Sequence, residues 1–544
     1  MKILMHVKTK VLINRLAISL LALVSAGAQT PPPPSAPQKL ELRLEAGEYW
    51  WGGLSVDGRQ MPYGAAKFSR NLRGDNGGNQ AQPLLISNRG RYVWSGQPFT
   101  YTFDNGALII TSSDGPVESG RQGSTLKDAF LFASRKYFPP DGKLPDPLMF
   151  THPQYNTWIE LMYDQNEAAI LKYAQSIVDQ GYPAGALMID DNWQEDYGVW
   201  EFSARRFKDP KAMMDRLHKL GFKVMLWVVP FVSPDSATSR DLAQRGLLLR
   251  DANRKNSPAI VPWWNGASAV LDLSNPAARE WFDGRLRHLV ETYGVDGFKF
   301  DGGDANYYTG PVLSSKPFLP NDHTAWFAEL GLGYPLNEYR ASWKMAGRPL
   351  AQRLRDKRHN WNDLRELVPG IIAQGLMGYP FTCPDMIGGG EYGSFLNLSG
   401  VDQELVVRSA QASALMPMMQ FSVAPWRVLS AENAALCRRM ALLHEQFGAE
   451  ILELARASAK SGEPIARPLA YTYPNGGYEQ IKDQFLLGDT ILVAPVLEKG
   501  ARSRKIVFPA GSWKGDDGST VTGPATVEIA APLDRLPWYR RLQP

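Results

Sequence analysis

The sequence predicts an α/β protein: a (β/α)8 (TIM) barrel flanked by an N-terminal β-sandwich and a C-terminal all-β domain. Three observations predict it. Over residues 143–460, amphipathic helical patterns alternate with short apolar strands, the rhythm of a parallel sheet covered by helices, and the number of units suits a closed barrel. Ahead of that stretch, short alternating runs are cut at close intervals by Asn-Gly, Asp-Gly and Ser-Gly, as antiparallel hairpins require. The competing doubly wound fold would be expected to carry a glycine-rich first turn after its first strand, and none is found.

In chain order, residues 1–28 carry Lys2, Lys8, Lys10 and Arg15 with no acid, then an apolar run at 16–24 and Ala26-Gly27-Ala28. Basic, apolar and small-x-small in that order predict a secretory signal peptide cleaved after Ala28. The run falls short of the roughly 20 apolar residues that span a bilayer. The expectation is an exported protein, periplasmic or extracellular, with no membrane attachment once the signal is removed. Residues 29–37, rich in proline, read as an extended spacer. The sandwich follows at 38–142, with runs such as LELRLEAG, RYVWSG, FTYTFDNG and LIITSSDG. In the barrel, strands are expected at 186–190, 223–229, 295–300, 349–354, 378–383 and 418–423. Helices are expected at 165–180, 209–220, 275–293, 360–376 and 402–415, and a long helix at 431–459 closes the region. Strands return at 465–509 and 519–530, giving a compact β domain over 461–544 with one more short sheet at the very end.

Composition limits the chemistry. The 544 residues, 44% hydrophobic and 21% charged, exceed one ordinary domain and exclude a largely disordered chain. Removing the four cations of 1–28 takes the net charge from +4 to zero, so the mature chain has no global field for nucleic acid or anionic membranes. Two cysteines, Cys383 and Cys437, cannot make a disulfide framework and read as two buried thiols. Seven unclustered His residues, with no CxxC, HExxH or GxxxxGK[ST], point to no metal and no cofactor.

The carboxylates carry the signal. The strand at 186–190 runs into Asp190-Asp191-Asn192-Trp193, GFKF ends in Asp301, LAQRL runs into Arg355-Asp356, and YPFTC into Pro384-Asp385. A single Asp after a strand is usually a helix cap or turn. Four at the C-terminal rim, with Lys299 and the tryptophans Trp193, Trp227 and Trp264, point to a carboxylate-driven pocket. Paired carboxylates with aromatics suit glycoside hydrolysis: one attacks or stabilises the anomeric centre while a protonated second donates to the leaving oxygen. Indole faces pack on sugar rings, and hydroxyls take charged partners. Core packing is the competing role for each tryptophan. It is strongest for Trp227, inside an apolar strand, and weakest for Trp264 in the turn-like PWWNG.

These motifs resemble glycoside hydrolase family 31 across nearly the whole mature chain. GVDGFKFDGGD (294–304) is similar to the family's nucleophile motif, and Asp356-Lys357-Arg358-His359-Asn360-Trp361 with Leu364 to its acid/base motif. The resemblance implies Asp301 as nucleophile and Asp356 as acid/base. CPDMIGG (383–389) resembles the D-I-G-G segment, with Asp385 at its Asp, and WNGASAVLDLSNPAAREW (264–281) places Trp264 at a sugar-facing aromatic. DQFLLGDTILVAPVL (483–497) looks like the family's C-terminal β-domain. By the same resemblance Asp190 grips remote ring hydroxyls, Lys299 and Arg340 contact hydroxyls nearer the anomeric carbon, and Trp227 lines the pocket. Asp191 and Trp193 share the rim position of Asp190. The Arg340-to-Asp356 spacing resembles that of the branch containing bacterial α-galactosidases. The segment 298–304 departs from the α-glucosidase form W-x-D-M-N-E, Lys357 stands where Asn is usual, and Pro384 replaces a frequent His. The expected activity is an exo-acting retaining α-glycosidase on oligosaccharides or glycosides, with α-galactosides favoured. The alternatives are an α-glucosidase, an α-xylosidase, or a silent carbohydrate-binding barrel.

Overall fold

A computed structural model describes residues 38–254 and 257–542; the expected signal peptide and spacer lie outside the described residues. Its central sheet has eight parallel strands: β1 (Gln154–Asn156), β2 (Ala186–Ile189), β3 (Lys223–Val228), β4 (Gly297–Phe300), β5 (Leu336–Tyr339), β6 (Gln352–Arg353), β7 (Thr382–Cys383) and β8 (Gln420–Phe421). From β1 to β7 each pairs with the next in chain order, and β8 returns to pair with β1. A single parallel bridge from Met386 to Gln420 joins the β7 side to β8, completing the ring of a (β/α)8 barrel.

The six expected strands are β2, β3, β4, β6, β7 and β8. Apolar patterning did not reveal β1 and β5, because both place polar side chains inside the barrel. Gln154 of β1 and Glu338 of β5 are fully buried, and both are bonded to the amide of Gln420 on β8, at 3.0 and 2.6 Å. A polar layer satisfied across the barrel replaces the apolar layer that sequence patterning looks for.

The covering helices follow their capping signals. α1 (Glu167–Asp179), α2 (Pro210–Lys219) and α3 (Pro276–Tyr293) start from Asn166, Asp209 and Asn275, whose side chains accept from first-turn amides. Gly294 ends α3 at φ 80°, a left-handed stop that suits glycine. The helix expected at 360–376 is two: a turn at Trp361–Leu364, then α4 (Leu367–Leu376). Pro369 explains the break, since its ring would collide with the carbonyl of residue 365 in a continuous helix. α5 (Gln403–Ala414) and the long α6 (Ala431–Ser461) complete the layer.

At the N-terminus stand two antiparallel sheets. One orders Gln38–Arg43, Ala107–Ser112, Thr100–Asp104 and Phe68–Asn71; the other orders Trp50–Leu54, Gln80–Ser87, Arg91–Ser95 and Val117–Arg121. Leu126–Tyr137, expected within the sandwich, is instead a helix with a Thr125–Asp128 capping box and Leu126, Ala129, Phe130 and Ala133 on its buried face. The N-terminal domain is continuous with the barrel: Ser342–Trp343, just past β5, pairs with Gln80 and Ala81. The C-terminal domain is one six-stranded antiparallel sheet with its own apolar core around Phe508, Trp513 and Tyr539. Its last strand, Trp538–Arg541, lies inside that sheet between Ile491–Val493 and Ser503–Gly515, so no separate terminal sheet forms. Cys383 and Cys437 are free and buried. Among the described residues no helix is long and apolar enough to cross a membrane.

Candidate active site

The C-terminal ends of the barrel strands surround a cavity of about 540 Å³, within the range of small-molecule sites. Eight of the ten residues singled out from sequence line it: Asp190, Asp191, Trp227, Trp264, Lys299, Asp301, Arg340 and Asp356.

Asp301 follows β4 and is the most constrained of them. Its Oδ2 accepts the indole N–H of Trp227 from β3 at 2.8 Å, and its Oδ1 accepts the amide of Gly302 at 2.9 Å. An Arg340 nitrogen lies 3.8 Å from Oδ1. Burial alone would raise this carboxyl, but the cations of Arg340, Lys299 and Arg353, with the Trp227 bond, hold it below the ordinary Asp range. Such an environment favours the ionised carboxylate at the wall of the cavity.

Arg340, just beyond β5, is held on three sides. Its Nε donates to the Gly78 carbonyl at 3.1 Å, a second nitrogen lies 3.4 Å from Asp304, and its guanidinium stands 4.8 Å from the Trp264 ring centre. Asp304 is buried, and its other oxygen has no partner among the described residues. It is therefore a buried partner of Arg340 rather than a solvated turn residue.

Asp356 follows β6, and about a third of its side chain is open. Arg353, at the end of β6 and almost fully buried, donates to Asp356 at 2.7 Å and to Asp385 at 2.9 Å, and its Nε lies 3.3 Å from Glu338. One guanidinium thus organises three carboxylates. His359, the other nearby acid–base group, has both ring nitrogens engaged: Nδ1 donates to the Gly388 carbonyl at 2.8 Å, and Nε2 accepts the Asp402 amide at 2.9 Å. That pattern fixes a neutral ring with no free proton to give.

At the end of β2, Asp190 accepts from the Lys299 ammonium at 2.6 Å in a buried pair. Asp191 has no cation partner among the described residues. It accepts from Tyr197 at 3.2 Å, from Gln194 at 3.3 Å and from Asn265. Burial, and next the Asp190 charge, push its carboxyl up to about 7.

Two of the expected residues do not reach the cavity. Trp193 is fully buried, stacked on Trp200 and packed on Phe202, and its indole donates to the Trp227 carbonyl at 2.8 Å. It supports the strand carrying Trp227 because Asn192, at φ 80°, turns the chain inward before it. Asp385 sits behind Arg353, accepting its guanidinium and the Lys357 amide at 2.7 Å. It holds φ 149°, a region nearly reserved for glycine, and such strain persists where surrounding bonds over-determine it. Sequence reasoning missed Arg353 and the aromatic rim. Trp158, Tyr163 and Tyr392 cluster with ring centres 5.3–5.9 Å apart beside Glu391, and all four line the cavity. Arg353 was accessible to sequence as the cation closing the strand three residues before Asp356; the rim comes from short helical turns and the segment following the first of them, too short to carry a pattern.

The family model for the TIM-barrel domain of glycosyl hydrolases family 31 matches residues 147–432, and that for the family's C-terminal domain matches 462–542. The chain belongs to glycosyl hydrolase family 31. It is similar to the mouse myogenesis-regulating glycosidase, 36% identical over 73% of this chain and 57% of that protein. It is also similar to a 1,3-alpha-isomaltosidase of Kribbella flavida, 28% identical over 67% of this chain and 58% of that protein. The chain thus spans a little over half the length of these relatives. Its fold matches a Flavobacterium johnsoniae family 31 dextranase complexed with glucose, TM-score 0.81 at 18% identity, over 93% of this chain and 66% of that one. The barrel of this family 31 member carries its carboxylates, arginines and aromatics on one rim, the C-terminal ends of its strands.

Proposed function

We propose that this family 31 glycosidase is an exo-acting retaining α-glycosidase, with Asp301 as nucleophile and Asp356 as acid/base, and that its sugar is α-galactose. The observation that carries the reading is the contrast between two carboxyls lining one cavity: Asp301 is locked among cations and an indole N–H, while Asp356 is open to the mouth where a leaving group departs. Asp301 attacks the anomeric carbon as Asp356 protonates the glycosidic oxygen; the glycosyl–Asp301 ester is then hydrolysed by water that Asp356 deprotonates. For the sugar, the support is the adjacent pair Asp190 and Asp191 at the end of β2 and the spacing of Arg340 to Asp356. In galactose the axial O4 and O6 lie on the same side of the ring, where two neighbouring carboxylates can take both. An equatorial O4 would leave one unmatched at about 1–3 kcal/mol, roughly ten- to a hundredfold in kcat/KM.

Two measurements test this. NMR of the first product should show the α-anomer, and the β-anomer would remove the retaining assignment. On an aryl α-glycoside panel the galactoside should have the highest kcat/KM; a faster glucoside or xyloside would overturn the choice of sugar but leave the mechanism. We infer export from residues 1–28, and N-terminal sequencing of the secreted or periplasmic protein should begin at Gln29.

A further inference from the structure

The barrel ladder between β5 and β6 consists of one residue pair, Tyr339 with Gln352. The next carbonyls outward are those of Arg340 and Arg353, the two arginines that reach Asp301, Asp304, Asp356 and Asp385. Neither carbonyl is left open. Asn79, from the N-terminal domain, donates its amide to the Arg340 and Arg353 carbonyls at 2.9 and 3.1 Å. Gln80 donates to the same two at 2.7 and 2.8 Å. Both side chains are fully buried. Their orientation is set from behind: the Ser55 hydroxyl lies 2.8 and 3.0 Å from their amide oxygens, and Gln374 donates to that of Gln80 at 2.6 Å. The adjacent Gly78 carbonyl accepts from Arg340 Nε. Three successive residues of another domain therefore hold both arginines where the strands splay apart.

We propose that Asn79 and Gln80 are positioning residues for catalysis, by which the N-terminal β-domain sets the Arg340 and Arg353 guanidinium groups against Asp301 and Asp356. This rests on the roles assigned to those two carboxyls above. The physical reason is leverage. An arginine side chain reaches its target through several rotatable bonds, so its head is placed only as well as its backbone. Two N–H donors on each carbonyl replace the ladder that has ended.

The test uses the full chain with Asn79→Ala, Gln80→Met and the double variant. Met keeps most of the Gln volume while removing both donors. Asn79→Ala leaves the Gln80 bonds in place and keeps the test available should Gln80→Met not fold. The readout is the pH profile of kcat/KM, whose acid limb reports ionisation of the nucleophile. The groups facing Asp301 are Lys299, Arg340, Arg353, Asp304, Tyr307 and the Trp227 indole. Loosening the two arginines raises the Asp301 pKa, so the acid limb should move up by about one pH unit in the double variant. kcat should fall about ten- to a hundredfold. Each single variant should show a smaller change in the same direction. Tyr379→Phe is the control. It cuts a different bond between the domains, the hydroxyl to the Ala81 carbonyl at 2.7 Å, and should lower Tm without moving the limb. A double variant with Tm lowered but kcat and limb unchanged would overturn the positioning role. Near-normal activity in Asp301→Asn would instead overturn the nucleophile assignment, so the two failures are distinct.

Discussion

Trp227→Phe separates an electrostatic role from a packing role at Asp301, the proposed nucleophile. The indole N–H to Asp301 Oδ2 bond is 2.8 Å long and buried. A hydrogen bond to a charged group in such a site contributes about 1.5–3 kcal/mol. At 1.36 kcal/mol per pKa unit, losing it should raise the Asp301 pKa by about one to two units. Two features favour the lower end: the Gly302 amide and the Arg340, Lys299 and Arg353 cations remain in the variant. The sign follows from the folded state. Asp301 titrates below its ordinary value, so its ionised form stabilises the fold above the unfolded pKa, and that stabilisation is lost as pH falls through the folded value. Weakening the ionised form moves the acid limb of kcat/KM upward and narrows the active range from its acid side. The assay is kcat/KM against pH on an activated aryl glycoside, with Tm followed in parallel. At the top of the profile, where Asp301 is ionised in both proteins, the variants should differ much less than on the acid side. If Trp227 only packs, kcat/KM will fall by one factor at every pH with the limb in place, and the argument fails.

Other outcomes follow from the same site. Asp356→Ala should lose far more activity on disaccharides than on substrates with activated phenolate leaving groups; equal losses would deny it the acid role, and His359, with both nitrogens occupied, could not take that role over without rearranging. Asp191 titrates near 7 in the folded protein against about 3.9 when unfolded, so its ionisation costs stability progressively as pH rises between those values. Asp191→Asn should therefore raise stability at pH 8 by on the order of 2–4 kcal/mol and give no gain at pH 3; thermal melts at the two pH values decide, and an equal effect at both would refute the assignment. Cys383 and Cys437 are buried, with the thiol of Cys437 pushed up to about 12 by burial, so both should react with a thiol reagent only at the rate of unfolding; prompt labelling of the native protein would contradict their placement.

The fold was legible where one residue pattern had one physical cause. α3 could be read to within a residue because Asn275 and Pro276 start it and Gly294 stops it. β1 and β5 could not, because Gln154 and Glu338 are polar residues facing the barrel interior. Their burial is made acceptable by Gln420 and Arg353, which arrive from β8 and β6. Local sequence carries no sign of partners that sit on other strands, 82 and 266 residues away for Gln420, so a strand built to hold a polar network looks like a loop.

The same division runs through the site. Four acids were read from a strand followed by an acid: Asp385 sits behind Arg353, while Asp190, Asp301 and Asp356 reach the cavity. Trp193 has the same local signature but does not reach it, because one left-handed residue, Asn192, reverses the direction of its side chain. Chain position thus tells which rim a residue belongs to, but not whether it faces inward. The arginines show the other limit. Arg340 and Arg353 matter through the distance of each guanidinium from a carboxylate, and their carbonyls are held by Asn79 and Gln80, more than 250 residues earlier in the chain. No local pattern connects an Asn-Gln pair in a β-domain to the charge of the proposed nucleophile in a barrel. The connection is made by packing alone, so the N-terminal domain, which sequence could only place beside the catalytic one, has to be counted as part of the site.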